Sequence, residues 1–249
     1  YFGADSYKKN QIMNALDLDA IMKSINTNDI YWDIIGVWNG YSVDKKNIQM
    51  KFDLKLKDVL IAQIHQTIPT ITTLFPMIKS MDGLINCHLT LSSQLDNQMM
   101  PVIGTTEAIC SINGQDMTLM DHEVFQNIAK KLKFKNKKMN KIDYLSADLI
   151  LKNNQIEVIP FQLSWDRYEA IVGGTHTTDF TYNYHVSMLK SPIPFDLGVD
   201  LFGKTDEMHY KLAKCKYKDL YKDGGASHKR KTQERLNSKR EAIIKNITL

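Results

Sequence analysis

Apolar and polar residues alternate along much of this chain. In "NIQMKFDLKLKD" (47–58), Ile48, Met50, Phe52, Leu54 and Leu56 fall on one parity, and Asn47, Gln49, Lys51, Asp53, Lys55 and Lys57 on the other. A side-chain period of two predicts a strand with one oily and one wet face. "LINCHLTLSSQL" repeats the pattern with Ile85, Cys87, Leu89, Leu91 and Leu95, and "DFTYNYHVSML" with Phe180, Tyr182, Tyr184, Val186 and Met188. Between them, "DYLSADLILKNNQIEVIPFQLSWDRYEAIVGG" is punctuated by Asn153-Asn154 and Asp166-Arg167, the turn chemistry of consecutive hairpins. Parity shifts near Pro160, which predicts a bulge or an edge position, because proline has no N–H to give to the ladder. The expected fold class is α+β and β-dominated: a consecutively paired, antiparallel, curved sheet, a groove or partial barrel, with a few helices capping one side or end.

Helical periods interrupt the strands in three places. Asp58 is expected to cap a segment in which Leu60, Ile61, Ile64, Ile68, Ile71, Leu74, Phe75 and Ile78 recur at helical spacing up to Gly83, broken by Pro69 and Pro76. Asp121 opens a second helix, with Phe125, Ile128, Ala129 and Leu132 on one stripe and a lysine-rich exit that complements the helix dipole. Ser227 opens a last helix whose few apolar residues predict a projecting or fraying element. "LDLDAIMKSI" from Leu16 echoes "LKLKDVLIAQI" from Leu54, each a strand end running into a helix start.

Composition adds bounds rather than a function. With 249 residues, 43% hydrophobic and 24% charged, the chain has the profile of an ordinary globular protein with a substantial core. No apolar run approaches the ~18 residues of a membrane-crossing helix. The start at Tyr1 without a methionine suggests an excised fragment whose targeting or anchoring segment lies elsewhere. Cys87, Cys110 and Cys215 are far apart in sequence, which argues against a zinc site and leaves room for one disulfide. The net charge of +4 is uneven: from Lys211 to Leu249 twelve Lys or Arg stand against four Asp or Glu, so the tail carries +8 and the rest −4. Such a tail suits anionic lipid headgroups or nucleic acid, and more simply a solvated terminal helix.

Candidate chemistry is sparse. "GGTHTTDF" holds Gly173, Gly174, His176 and Asp179, a conceivable His-Asp pair, but no nucleophile motif accompanies it and turn residues between strands explain it better. Asp121, His122 and Glu123 are adjacent on a helix and point apart, so they suit a helix start better than a metal site. Cys87 and His88 face opposite sides of a strand and cannot share a metal. His65 neighbours Ile64 and is most simply a boundary histidine. "VGGT" lacks the lysine and helix of a phosphate loop. Tyr182 and Tyr184 alternate with Thr181, Asn183 and His185, without the basic interleaving of a nucleic-acid platform. The residues argue against an enzyme and imply no cofactor.

From "LTLSSQLDNQMMPVIGTTEAICSINGQDMTLMD" through "YHVSMLKSPIPFDLGVDLFG" the chain resembles the C-terminal region of AsmA-like proteins of Bacteroides-type bacteria. The "LDNQMMP" turn, the "INGQDMTLMD" strand leading into a helix, the "NKIDYLSADLILKNNQIEVIPF" meander and the "YHVSMLKSPIPFDLGVDLFG" close carry the likeness, which spans roughly 39–220. It divides the chain into a β-rich domain at 1–222, with 1–38 matched loosely, and a basic polar tail or helix at 223–249. The resemblance implies a periplasmic segment of a protein tethered to the inner membrane by an N-terminal helix, acting in outer-membrane biogenesis. Its expected partner is phospholipid or another envelope lipid, held or conducted along an apolar β-groove, with no nucleic acid. Periodicity alone favours a sandwich or closed core; the resemblance favours an open trough. Ile48, Met50, Phe52, Leu54, Leu56, Phe180, Tyr182, Tyr184, Val186 and Met188 are then the expected lipid-lining residues. The alternative is a non-enzymatic structural or interaction module that scaffolds outer-membrane assembly proteins.

Overall fold

The computed structural model describes residues 48–62, 81–96, 101–120, 123–132, 139–165, 168–190, 197–204 and 207–245. Nine strands follow one another as β1 (Ile48–Leu60), β2 (Met81–Leu95), β3 (Glu107–Met120), β4 (Met139–Lys152), β5 (Gln155–Trp165), β6 (Tyr168–Thr177), β7 (Thr181–Lys190), β8 (Leu197–Lys204) and β9 (Glu207–Lys214). Each pairs antiparallel with its sequence neighbours, in the order β1 to β9, forming one sheet that does not close into a barrel. The β-dominated, consecutively paired sheet expected from the alternation is therefore the fold, and it is a single sheet rather than two.

Local chemistry accounts for the turns. Asn153 and Asn154 both have positive φ, 51° and 60°, the backbone of a two-residue hairpin that matches the strands' own twist, and they join β4 to β5. Pro160 marks a bulge: the β5–β6 register shifts between Val158 and Phe161. It is no edge, because β5 lies between β4 and β6. The ring sits against β6 at Gly173, where an added Cβ would lie 2.9 Å from Pro160, so the neighbouring strand makes room with a glycine.

A crease crosses β2 to β4 at one level, and β1 has its own irregularity about three residues along, beside Asn86. Asp58 (φ 52°) and Asp116 (φ 50°) take left-handed backbone, Gly83 has φ 128°, and Asp143 and Tyr144 are consecutive exposed residues in β4. The extra residue in β1 keeps Val59 and Ile61 on the same face as Leu54 and Leu56, and all four are buried in one cluster. In β3 the Met117 side chain folds back over Gly114, where an added Cβ would meet its sulfur at 2.2 Å. Asp58 therefore does not cap a helix. It lies inside β1, which runs on to Leu60, and its N–H donates to Asn86 Oδ1 at 2.9 Å. Of the helical segment expected from Leu60 to Gly83, Leu60 belongs to β1 and Met81, Asp82 and Gly83 to β2; Ile61 and Ala62 are helical, and 63–80 lie outside the described residues.

Two α-helices pack against the sheet, and short 3-10 turns at Ile103–Thr105 and Lys218–Tyr221 complete the described elements. α1 (Glu123–Leu132) lies against β8 and β9 and adds Ile128 to the main apolar cluster; of its expected stripe, the side chains of Phe125, Ala129 and Leu132 lie outside the described residues, as do Asp121 and His122. α2 (Ala226–Lys245) packs on the opposite side of the sheet, where Leu236 and Ile243 join Ile109, Ile150 and Ile159. It neither projects nor frays. Polar anchors supplement its two apolar ones: His228 Nε2 donates to Pro160 O at 2.8 Å, Arg235 forms a bidentate pair with Glu157 at 2.9 and 2.6 Å, and Arg240 donates to Ser111 Oγ at 2.6 Å. The carboxylate of Asp223 accepts the N–H groups of Gly225 and Ser227 and so does the capping expected of Ser227.

Candidate functional site

Directly paired residues of antiparallel strands share a face, so the register strings the oily positions into rows. Leu54, Leu89, Cys110, Leu149, Val158, Gly174, Tyr184, Leu201 and Tyr210 form one continuous row across all nine strands. The next row holds Leu56, Cys87, Ile112 and Ala147, and beyond the Pro160 bulge Phe161, Val172, Val186, Val199 and Leu212. One side of the sheet is thus predominantly apolar. Its centre is not fully enclosed: Cys87, Leu89, Ile112, Phe161, Leu163, Val172 and Tyr184 are partly exposed, whereas Leu54, Leu56, Ala170, Val199 and Leu201 are buried.

The expected lining residues divide accordingly. Leu54 and Leu56 on β1 and Tyr182, Tyr184, Val186 and Met188 on β7 all lie on this face, with five strands between the two groups. Val186 and Met188 are buried; Tyr182 and Tyr184 are partly exposed. Ile48, Met50 and Phe52 are in β1, with Phe52 paired to Leu91, but their side chains lie outside the described residues. Phe180 does not belong to the set. It sits before β7 in a turn, with φ 64°, so strand parity does not apply to it. Nor is the wet parity of β1 uniformly wet: Lys51 is buried, and burial lowers its pKa.

Sequence parity also did not show that Cys87 and Cys110 meet on this face, on adjacent strands, with their sulfurs 3.5 Å apart. Both are free thiols. The hydrogen bond to Cys87 and burial push the Cys110 thiol well above its ordinary value.

His176 and Asp179 are not brought together. His176 is buried on the apolar face, with Nδ1 2.9 Å from Tyr184 Oη, while Asp179 is exposed in the β6–β7 turn and accepts a hydrogen bond from Thr177. The glycines before them are not turn residues either: Gly173 and Gly174 lie within β6. His65 lies outside the described residues.

No family model, curated protein or solved structure matches this chain.

The opposite side of the sheet carries polar chemistry that the search for motifs missed. His185 Nδ1 donates to Asp200 Oδ1 at 2.6 Å, and its Nε2 lies 2.8 Å from Ser187 Oγ, an arrangement with the connectivity of a Ser-His-Asp triad. Ser187 is 0% exposed and His185 2%. The segment after β9 seals them: the N–H groups of Lys216 and Tyr217 donate to Ser187 Oγ at 3.0 and 3.4 Å, Lys216 Nζ donates to Asp200 at 2.6 Å, and the Tyr217 ring meets the imidazole edge-on. With its lone pairs occupied by backbone donors and no exposed surface, Ser187 serves here as a latch that fixes the chain's return across β7 and β8. The His185-x-Ser187 spacing was visible in the sequence; the partner Asp200 comes only with the β7–β8 register.

This latch carries a pH signature. Burial lowers the His185 pKa against the opposing pull of Asp200, so the unfolded chain takes up the proton first. The latch's contribution is complete above the ordinary imidazole value of about 6.5 and is lost as pH falls below it, through the depressed folded-state value. Asp200 is affected by burial, which raises its pKa, and by bonds from Lys216 and His185, which prevail and lower it, so its contribution persists to more acid pH. The thermal midpoint is expected to fall between neutral and mildly acid pH. His185→Asn should flatten that slope, and an unchanged slope would rule out the latch as its source.

A second polar network lies near the C-terminal half of α2. Asp53 Oδ1 accepts from Thr90 Oγ1 at 2.6 Å and from His88 Nε2 at 2.9 Å, and Asp148 Oδ1 accepts from Ser111 Oγ at 2.5 Å. The buried guanidinium of Arg240 feels burial first, which lowers its pKa, and then the attraction of Asp148 and Asp53. Among the described residues no group of His, Cys, Asp and Glu is arranged to hold a metal ion, and no helix is long and apolar enough to cross a membrane.

Proposed function

We propose that this chain is a lipid-handling segment of an AsmA-like envelope protein, acting in the periplasm in outer-membrane biogenesis, and that the apolar side of its sheet holds or conducts phospholipid. The observation that carries this reading is the continuous apolar face of an open nine-stranded sheet, partly exposed along its middle. An acyl chain gains about 0.8 kcal/mol per methylene removed from water, so a strip of partly exposed Leu, Ile, Val and Phe side chains suits the tail of a lipid. The strip needs no catalytic group, and the reading is non-enzymatic. Tethering to the inner membrane belongs to the full-length protein of that family.

Native mass spectrometry of protein released from bacterial membranes in mild detergent is expected to show phospholipid retained by the folded chain. Consistently lipid-free protein would contradict the reading. A second reading, a scaffold for outer-membrane assembly proteins that holds no lipid, is favoured locally by the burial of Leu54, Leu56, Val186 and Met188. It predicts lipid-free protein that co-purifies with assembly components.

A further inference from the structure

We propose that the cleft between α2 and strands β4 and β5, on the side of the sheet away from the apolar face, binds a neutral saccharide. The cleft has a volume of about 500 Å³, within the range of small-molecule sites. A pyranose ring presents an apolar C–H face and a rim of hydroxyls, so its site needs an accessible aromatic ring beside fixed carboxylate, amide and hydroxyl groups.

The sheet supplies these at one place. Strict alternation would turn either Asp143 or Tyr144 toward the apolar face, but at the crease both point outward, and Tyr144 is 46% exposed at the cleft. Next to Tyr144 on the same wall stand Ser146 and Asp148, with Gln162 from β5 and Gln233 from α2 bordering the same space.

Supporting hydrogen bonds hold that wall in position. Tyr144 Oη and Ser146 Oγ both donate to Asn113 Oδ1, at 3.4 and 2.9 Å. Ser111 donates to Asp148 and itself accepts from buried Arg240. Gln233 donates its amide to Asn237 at 2.9 Å, which orients its carbonyl group. Polar groups fixed in this way cost little ordering on binding. They do not suit an acyl chain, and with Asp143 and Asp148 set against Lys229 and His228 around the same space the cleft has no excess of either charge, which favours a neutral polyhydroxylated ligand as the class that fits.

The test is titration of the intact chain with maltose, cellobiose, lactose and N,N′-diacetylchitobiose, followed by calorimetry and amide chemical shifts. Saturable binding of at least one, with shifts centred on β4, β5 and α2, is expected. Tyr144→Ala should weaken it about tenfold or more, the loss of roughly 1.4 kcal/mol, while Tyr144→Phe, which keeps the ring, should bind nearly as wild type. Asp148→Asn should also weaken it. Tyr144 is exposed, so its substitution leaves the fold intact. Absence of binding to all four sugars, or undiminished binding by Tyr144→Ala, would overturn the proposal.

Discussion

Replacing Leu236 by alanine is expected to destabilise the protein by about 2–5 kcal/mol, the range for deleting a fully buried leucine. Leu236 is 0% exposed, in a small cluster with Ile109, Ile150 and Ile159 from three strands. Few other apolar residues of α2 share the work, so the loss should fall mainly on that helix. Urea unfolding gives the magnitude, and hydrogen exchange along 226–245 gives the location. Were α2 a solvated, fraying helix, the same substitution would change stability by no more than about 0.5 kcal/mol, as surface substitutions do.

Gly174→Ala is expected to cost about 2–6 kcal/mol, combining strain in a backbone region that only glycine enters readily with overpacking against the next strand. Gly174 has φ 152°, and a Cβ there would lie 2.3 Å from Asn183 O and 2.6 Å from Tyr184 Cα. Those contacts are backbone atoms of β7, which cannot yield without disturbing the β6–β7 ladder. The row that carries the apolar face passes through this point, so the variant should also loosen Tyr184 and its hydrogen bond to His176. Gly104→Ala is the control, since its added Cβ would meet nothing closer than 4.0 Å. Equal urea midpoints for the two variants would contradict this account.

Much of the fold was legible because alternation is a local property. Leu54 and Leu56, or Val186 and Met188, declare a face within a few residues, and Asn153-Asn154 declares its turn. What failed depended on longer range or on ambiguous local chemistry. Asp58 has a side chain suited equally to a helix cap and to a bulge, and only its place beside Asn86 of β2 decides between them. Phe180 keeps the parity of Tyr182 in the sequence, yet the turn that precedes β7 takes it out of the strand. α2 has few apolar residues, and the polar contacts of His228, Arg235 and Arg240 that hold it are made to residues 68 to 129 positions away. Such separations leave no pattern in the chain.

The candidate sites show the same division. The apolar face follows from parity plus register, so most of its β1 and β7 members were named from sequence alone. The Ser187-His185-Asp200 latch needs the pairing of β7 with β8 and the return of Lys216 and Tyr217 before its sealed character is evident. The polar cleft is assembled from β4, β5 and α2. No contiguous stretch contains it.

The central claim, that lipid occupies the apolar side of the sheet, is tested most directly by placing a photoreactive phenylalanine analogue at Phe161 or Leu89 on that side, and at Phe202 on the other. Phe202 is 41% exposed and so offers an accessible control. After irradiation in living bacteria, the account predicts phospholipid adducts at Phe161 and Leu89 and none at Phe202. Adducts absent from all three positions, or equally frequent on both sides of the sheet, would contradict it.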